Sequence, residues 1–266
     1  MQQGPHGQEY STALNLSGRG FVILGAGGGG IGTQTCIALA SAGAQLLCVD
    51  YRQEQAEEIA ALTGGVAHVA DVSSRNEMQS VFDKAASVFE RRFLGVVDIV
   101  GVASMGPIPS FDDAAIQRQF DVVFRHALLA TQIGAPMIAA NGGGTMTFVG
   151  SISGMLGVPN QALYGMAKAA LHHLVRQAAV EFGPAGVRFN AIAPGFVKTP
   201  RLNAAIPAET WQSIARNIPL RRVADPADIA KAALFLSSDL AAYVTANVLT
   251  LDGGTTSVMQ VPVIKL

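Results

Sequence analysis

The chain has 266 residues, half of them hydrophobic and 14% charged, with a formal net charge of −1 and no conspicuous cluster of Lys or Arg. That balance argues against a nucleic-acid or anionic-membrane partner. The two cysteines, Cys36 and Cys48, sit in apolar stretches without ligand-like spacing, which excludes a disulfide framework and fits a reducing, cytoplasmic compartment.

Taken in chain order, Met1 to Gly18 is polar and Gly-containing, unlike a signal peptide. Residues 1–17 read as an N-terminal extension and 18–266 as one domain. Phe21–Leu24 is predicted as the first strand, followed by a glycine loop and a helix over Ile31–Ala42. Strands are then predicted over Gln45–Val49, Val66–Ala70, Val97–Val102, Thr145–Val149, Arg188–Ile192 and Asn247–Leu251. Helices are predicted over Gln53–Leu62, Arg75–Arg91, Phe111–Ala140, Ala162–Phe182 and Pro226–Ser238. Short apolar strands separated by helices imply repeated βαβ units. The expected fold is α/β, a doubly wound (Rossmann) parallel seven-stranded sheet with helices on both faces. No apolar run reaches the roughly 18 residues of a membrane span. The connection Gly195–Leu220 carries Pro200, Pro207, Pro219 and the single tryptophan, Trp211; a connection of that length is expected to be a substrate lid.

The segment Gly25-Ala26-Gly27-Gly28-Gly29-Gly30-Ile31-Gly32 follows the first strand and opens a helix. Gly25, Gly27 and Gly30 satisfy G-x-G-x-x-G, a turn whose backbone can approach a pyrophosphate at a helix N-terminus. Asp50 closes the second strand, 18 residues beyond Gly32. A carboxylate there accepts hydrogen bonds from ribose hydroxyls and repels a 2′-phosphate, favouring NAD over NADP. Arg52 could partly neutralise it, which leaves the choice open.

Tyr164 and Lys168 lie four residues apart at the start of the Ala162–Phe182 helix and share a face. An ammonium beside a phenol should lower its pKa from about 10 and suit it to proton exchange near neutral pH. Ser151, 13 residues before Tyr164 and just past the fifth strand, joins them at the carboxyl edge of the sheet.

These residues resemble the short-chain dehydrogenase/reductase family, in its single-domain branch. The resemblance runs from about Leu16 to Gly254. It includes Asp71-Val72, Asn190-Ala191-Ile192-Ala193-Pro194-Gly195, Thr199-Pro200 and Leu251-Asp252-Gly253-Gly254. It implies that Ser151, Tyr164 and Lys168 are catalytic, with Tyr164 the acid/base and Lys168 also on the nicotinamide ribose. It places Asp71 and Val72 at the adenine and Val197 and Thr199 at the nicotinamide amide. Gly25, Gly27, Gly30, Ile31, Asp50 and Ala103 complete the cofactor-binding set. No residues are spaced as metal ligands.

Three departures stand out. The glycine loop begins Leu24-Gly25, where the family usually has Thr-Gly, and is one residue longer or shifted by one. The family's Asn-Asn-Ala-Gly reads Gly101-Val102-Ala103-Ser104. The family's relay asparagine falls on Val123, which has no polar side chain. His126, one turn on, is the possible substitute but reads more simply as a surface or interface histidine. His172 and His173 read as packing residues, with a subunit interface as one setting for them. The Tyr164 helix is apolar almost all round, which, with the low charge, implies a homotetramer or at least a homodimer. Met155, Leu156 and Val158, with Ile206 and Trp211 of the lid, suggest an apolar pocket, and Arg201 is a weak candidate for an anionic substrate group. The function expected is hydride transfer between NAD(H) and an alcohol/ketone carbon of an apolar or ring-shaped substrate. The alternative is a catalytically weak NAD(H)-binding regulatory or structural protein. A methyltransferase with a similar glycine loop would leave Ser151, Tyr164 and Lys168 unexplained.

Overall fold

The structure, a computed structural model, describes residues 10–258. Residues 1–9 of the N-terminal extension and 259–266 of the tail Thr255–Leu266 lie outside the described residues. Seven strands form one parallel sheet: β1 (Gly20–Leu24), β2 (Gln45–Asp50), β3 (Val66–Val69), β4 (Phe93–Asp98), β5 (Gly144–Val149), β6 (Val187–Pro194) and β7 (Asn247–Leu251). Their order is β3-β2-β1-β4-β5-β6-β7. The winding reverses between β1 and β4, which opens a crevice at their carboxyl ends.

The central strand β1 is apolar on both faces because helices cover both. Val22 and Leu24 of β1 face one cluster, Phe21 and Ile23 the other. The first cluster is closed by α3 (Arg75–Phe89), α5 (His126–Ala140) and α6 (Ala162–Phe182). There Phe82, Phe89 and Phe93 pack ring against ring, with centroids 6.0 and 6.2 Å apart. Each such buried ring contributes about 1.5–3 kcal/mol. The second cluster is closed by α1 (Ile31–Ser41), α2 (Gln53–Thr63) and α9 (Pro226–Ser237). Leu16 is fully buried in it, so the end of the stretch read as an extension is part of the core. Cys36 and Cys48 are reduced and buried there too.

Helix starts follow local chemistry. Ser74 caps α3, and Asp225 accepts from the Ala227 N–H at 2.9 Å ahead of Pro226. The fourth strand differs from expectation. It runs from Phe93 to Asp98, and residues 99–102 form the loop above it.

The helix expected over Phe111–Ala140 is also different. It is α4 (Asp113–Phe120), a π-helical turn (Asp121–Arg125) and α5. By length and composition Asp113–Ala140 could cross a membrane, but half of its apolar window is packed inside the protein, as in a core helix. The π turn inserts extra backbone into the helix, and Val123 and His126 both end up buried.

The connection after β6 is largely helical. It forms α7 (Pro200–Ala205) and α8 (Ala208–Asn217), and Trp211 is buried, anchoring the pair instead of lining an open pocket.

Candidate active site

The glycine loop hangs from the end of β1, where the N–H groups of Gly25 and Ala26 both donate to the Val49 carbonyl at 2.9 and 3.0 Å. Gly28 and Gly29 have φ of +81° and +68°, left-handed conformations that side-chain-bearing residues resist. At Gly32 a methyl group would overlap the Gly25 carbonyl oxygen. Close packing of helix on strand therefore falls to Gly32, a role the G-x-G-x-x-G reading of Gly25, Gly27 and Gly30 did not assign. Ile31 opens α1.

Asp50 is nearly buried at the end of β2. Its two carboxylate oxygens accept from the N–H groups of Gly27 and Arg52, each at 3.1 Å. The Arg52 guanidinium sits 5.2 Å from the centre of the Tyr51 ring, so its charge is directed at an aromatic face.

Asp71 and Val72 follow β3. Val72 is nearly buried, while the Asp71 carboxylate accepts from the Ser73 N–H and hydroxyl at 3.0 and 2.7 Å. Ala103 is half-buried in the loop after β4. Val197 and Thr199 follow β6, where the Lys198 N–H donates to the Ala224 carbonyl at 2.8 Å and Thr199 caps α7. This segment arches over the glycine loop. The Pro200 ring lies 3.4 Å from where a Gly29 side chain would begin.

The structure thus brings Gly25–Gly32, Asp50, Val197 and Thr199 to one edge of the sheet, with Asp71, Val72 and Ala103 on the neighbouring loops. Open glycine backbone, a helix N-terminus and a fixed carboxylate suit a dinucleotide's pyrophosphate and ribose.

Ser151 stands just past β5, at the entry to a short turn (Ile152–Gly154), and its Oγ accepts from the Ser153 N–H at 3.1 Å. Tyr164 and Lys168 lie on the first turns of α6. The Ser153 hydroxyl donates to Gln161 Oε1 at 2.6 Å, tying the serine turn to that helix end. Lys168 is 1% exposed. Its ammonium donates to the Val149 carbonyl at 2.6 Å and lies 5.7 Å from the centre of the Tyr164 ring.

One expectation is corrected here. The phenol of Tyr164 is raised above its ordinary 10, because desolvation outweighs the opposing hydrogen bond with Ser151. Lys168 carries a perturbation of its own. Burial brings it from 10.5 down to about 8, against the opposing pull of the Asp98 carboxylate.

His126 is likewise corrected. It is 1% exposed, not a surface or interface residue, and its Nε2 lies 3.1 and 3.0 Å from the two oxygens of buried Asp98. Asp98 also accepts from the Val100 N–H at 3.0 Å. Val123 packs with its Cγ2 4.0 Å from where a Gly101 side chain would begin, and the Lys168 Nζ lies 3.0 Å from that same point. Where relatives of this pattern place an asparagine, the lysine here has an apolar neighbour. Its partners are the Val149 carbonyl and the field of Asp98. Sequence reasoning missed Asp98; the signal was a lone carboxylate ending an otherwise apolar strand.

His172 and His173 diverge. His173 is exposed, whereas His172 is 3% exposed and lies against the serine turn. Exposed apolar side chains gather on the segments that leave the carboxyl ends of three adjacent strands. They are Met105 and Ile108 after β4, Met155 and Leu156 after β5, and Phe196 and Leu202 after β6. Among the described residues no group of three His, Cys, Asp or Glu could hold a metal ion.

Fold and site together define a dinucleotide-binding α/β oxidoreductase. Residues 25–256 match the family model described as enoyl-(acyl carrier protein) reductase, a short-chain dehydrogenase/reductase model. The chain is 36% identical over 253 residues to the 7α-hydroxysteroid dehydrogenase of Escherichia coli K12, covering 92% of this chain and 96% of that one. It is 34% identical over 248 residues to the cis-4-hydroxycyclohexanecarboxylate dehydrogenase of Sinomonas cyclohexanicum, covering 89% and 96%. The solved structure of a 7α-hydroxysteroid dehydrogenase complexed with NADH and 7-oxo glycochenodeoxycholic acid aligns with a TM-score of 0.86 and 32% identity, over 92% of this chain and 96% of that one. The chain belongs to the short-chain dehydrogenase/reductase family.

Proposed function

We propose that this oxidoreductase interconverts the ketone and secondary alcohol of an apolar, ring-bearing substrate with NAD(H). The observation that carries the reading is the meeting of Ser151, Tyr164 and Lys168 with the glycine loop at one sheet edge, beneath loops that expose Met155, Leu156, Met105 and Phe196. A bound nicotinamide would supply the hydride chemistry. Gly25, Gly27, Gly30, Ile31, Asp50, Asp71, Val72, Ala103, Val197 and Thr199 would hold the dinucleotide. Ser151 holds the substrate oxygen, and the Tyr164 hydroxyl gives or takes its proton. Lys168 sets the local positive field and reaches the ribose.

A phenol held protonated by burial suits proton donation to a ketone oxygen in the reductive direction. The Asp50 carboxylate, with Arg52 turned onto Tyr51, supports NAD over NADP. The relatives named for a hydroxysteroid and a hydroxycyclohexanecarboxylate support an alicyclic substrate. A binding protein without catalysis is not favoured.

Rates of NADH and NADPH oxidation should be measured with cyclic and steroidal ketones, acyclic keto-sugars and an unsaturated thioester. Turnover of cyclic ketones, at least about tenfold better with NADH than NADPH, is expected. Tight NADH binding with no turnover of any carbonyl compound would defeat the reading.

Exposed Met166 and Val180 on α6, together with the low charge, support a homotetramer, or at least a homodimer. Light scattering is expected to give a multiple of 27.6 kDa, and a monomer alone would rule that out. The two reduced, buried cysteines support a reducing, cytoplasmic setting.

A further inference from the structure

The residue furthest from explanation is His172. It lies one turn beyond Lys168 on α6 and is almost wholly buried, yet no step of the chemistry above uses it. Its ring occupies a notch between two glycines that bracket the serine turn. A methyl group at Gly150 would overlap its Nε2, and one at Gly154 would lie 2.8 Å from its Cε1. Between them, the Ser151 N–H points at His172 Nε2 across 3.5 Å, a long contact whose direction is set by packing as much as by its own strength. The rest of the turn is closed by backbone: Gly150 N–H to the Ile192 carbonyl at 2.6 Å, and Gly154 N–H to the Ser151 carbonyl at 3.0 Å.

We propose that His172 is a positioning residue for the reaction: its ring, seated between Gly150 and Gly154, fixes the backbone of Ser151 and so the direction of the serine hydroxyl toward Tyr164. This rests on Ser151 acting as read above. Burial, and then the Lys168 and Arg176 charges, bring His172 down to about 4 from 6.5, with the Gly154 carbonyl opposing. The ring is therefore neutral at working pH, with a lone pair free to accept. The two glycines gain a reason as well: any larger residue at either position would displace the ring.

The test compares two substitutions of similar size and length. His172→Gln retains a strong amide acceptor, and His172→Met leaves only a weakly accepting thioether sulfur. His172→Met is expected to lower kcat about fivefold to tenfold with the NADH dissociation constant unchanged, and His172→Gln to recover most of that loss. In a Ser151→Ala background His172→Met should add little, because both changes act through one hydroxyl. Equal activity of the Gln and Met variants, or a loss that adds in full to that of Ser151→Ala, overturns the proposal. If Ser151→Ala alone leaves turnover intact, the reading of the site fails first, whatever His172 does. Should the Met variant not fold, amide exchange in the native protein decides. The Ser151 N–H is expected to exchange far more slowly than a free peptide, and exchange at the free-peptide rate overturns the assignment.

Discussion

Tyr164→Phe is expected to lower kcat by about 10²–10⁴-fold while leaving the NADH dissociation constant within about twofold. The substitution removes one oxygen from a ring already committed to its place by α6, so fold and cofactor cradle stay as they are. The size of the loss follows from the environment. The phenol is half-buried and raised above 10 by desolvation, with the Ser151 hydroxyl pulling the other way. The protonated phenol, in hydrogen-bond contact with Ser151, is the proton donor that the substitution removes.

The sign of the pH dependence follows from the same observation. Ketone reduction needs the protonated phenol and should hold level across neutral pH. Alcohol oxidation needs the phenolate and should rise as pH increases toward the alkaline range. Stopped-flow rates in both directions, alongside fluorescence titration of NADH, check both statements. Turnover near that of the parent in the Phe variant would remove Tyr164 from the mechanism. An oxidation rate that falls as pH climbs through neutrality would contradict the environment described for it.

Much of the architecture was legible because it is carried by periodic signals. Seven apolar runs and their intervening helices gave the doubly wound sheet, and the glycine loop marked its first turn. What escaped depended on contacts between distant segments. The π turn at Asp121–Arg125 leaves no trace in apolar periodicity, so His126 was assigned to the wrong surroundings. Asp98 and His126 are 28 residues apart in sequence and meet only because β4 and α5 pack together. The mutual placement of Tyr164 and Lys168 was legible from their spacing, but the balance of burial against charge was not. Spacing says that the ammonium is near; it does not say that the Val149 carbonyl, not the phenol, receives its hydrogen bond. His172 shows the same limit. Its spacing from Lys168 was plain, while the notch between Gly150 and Gly154 exists only once the turn after β5 is folded against α6.

Lys168→Met is expected to abolish turnover and yet stabilise the protein at pH 7. The ammonium is 1% exposed, and its one hydrogen bond among the described residues is to Val149. The folded protein lowers its pKa from 10.5 to about 8, with burial as the main cause and Asp98 opposing. The charged form is therefore less favourable folded than unfolded, by roughly 3 kcal/mol at pH values below 8. As pH rises from about 8 to 10.5, the folded lysine is neutral while the unfolded one still binds a proton. The parent protein should thus gain stability across that window. Methionine fills similar volume without charge, and Asp98 keeps His126 and the Val100 N–H as partners, so no carboxylate is left stranded. The unmatched Val149 carbonyl takes back part of the gain, leaving about 1–2 kcal/mol and a melting temperature several degrees higher at pH 7. Thermal unfolding of both proteins from pH 6 to 10.5 should show the difference shrinking above pH 8. A less stable Met variant at pH 7, or a gap that does not change with pH, would mean that the Asp98 field compensates the buried cation in full.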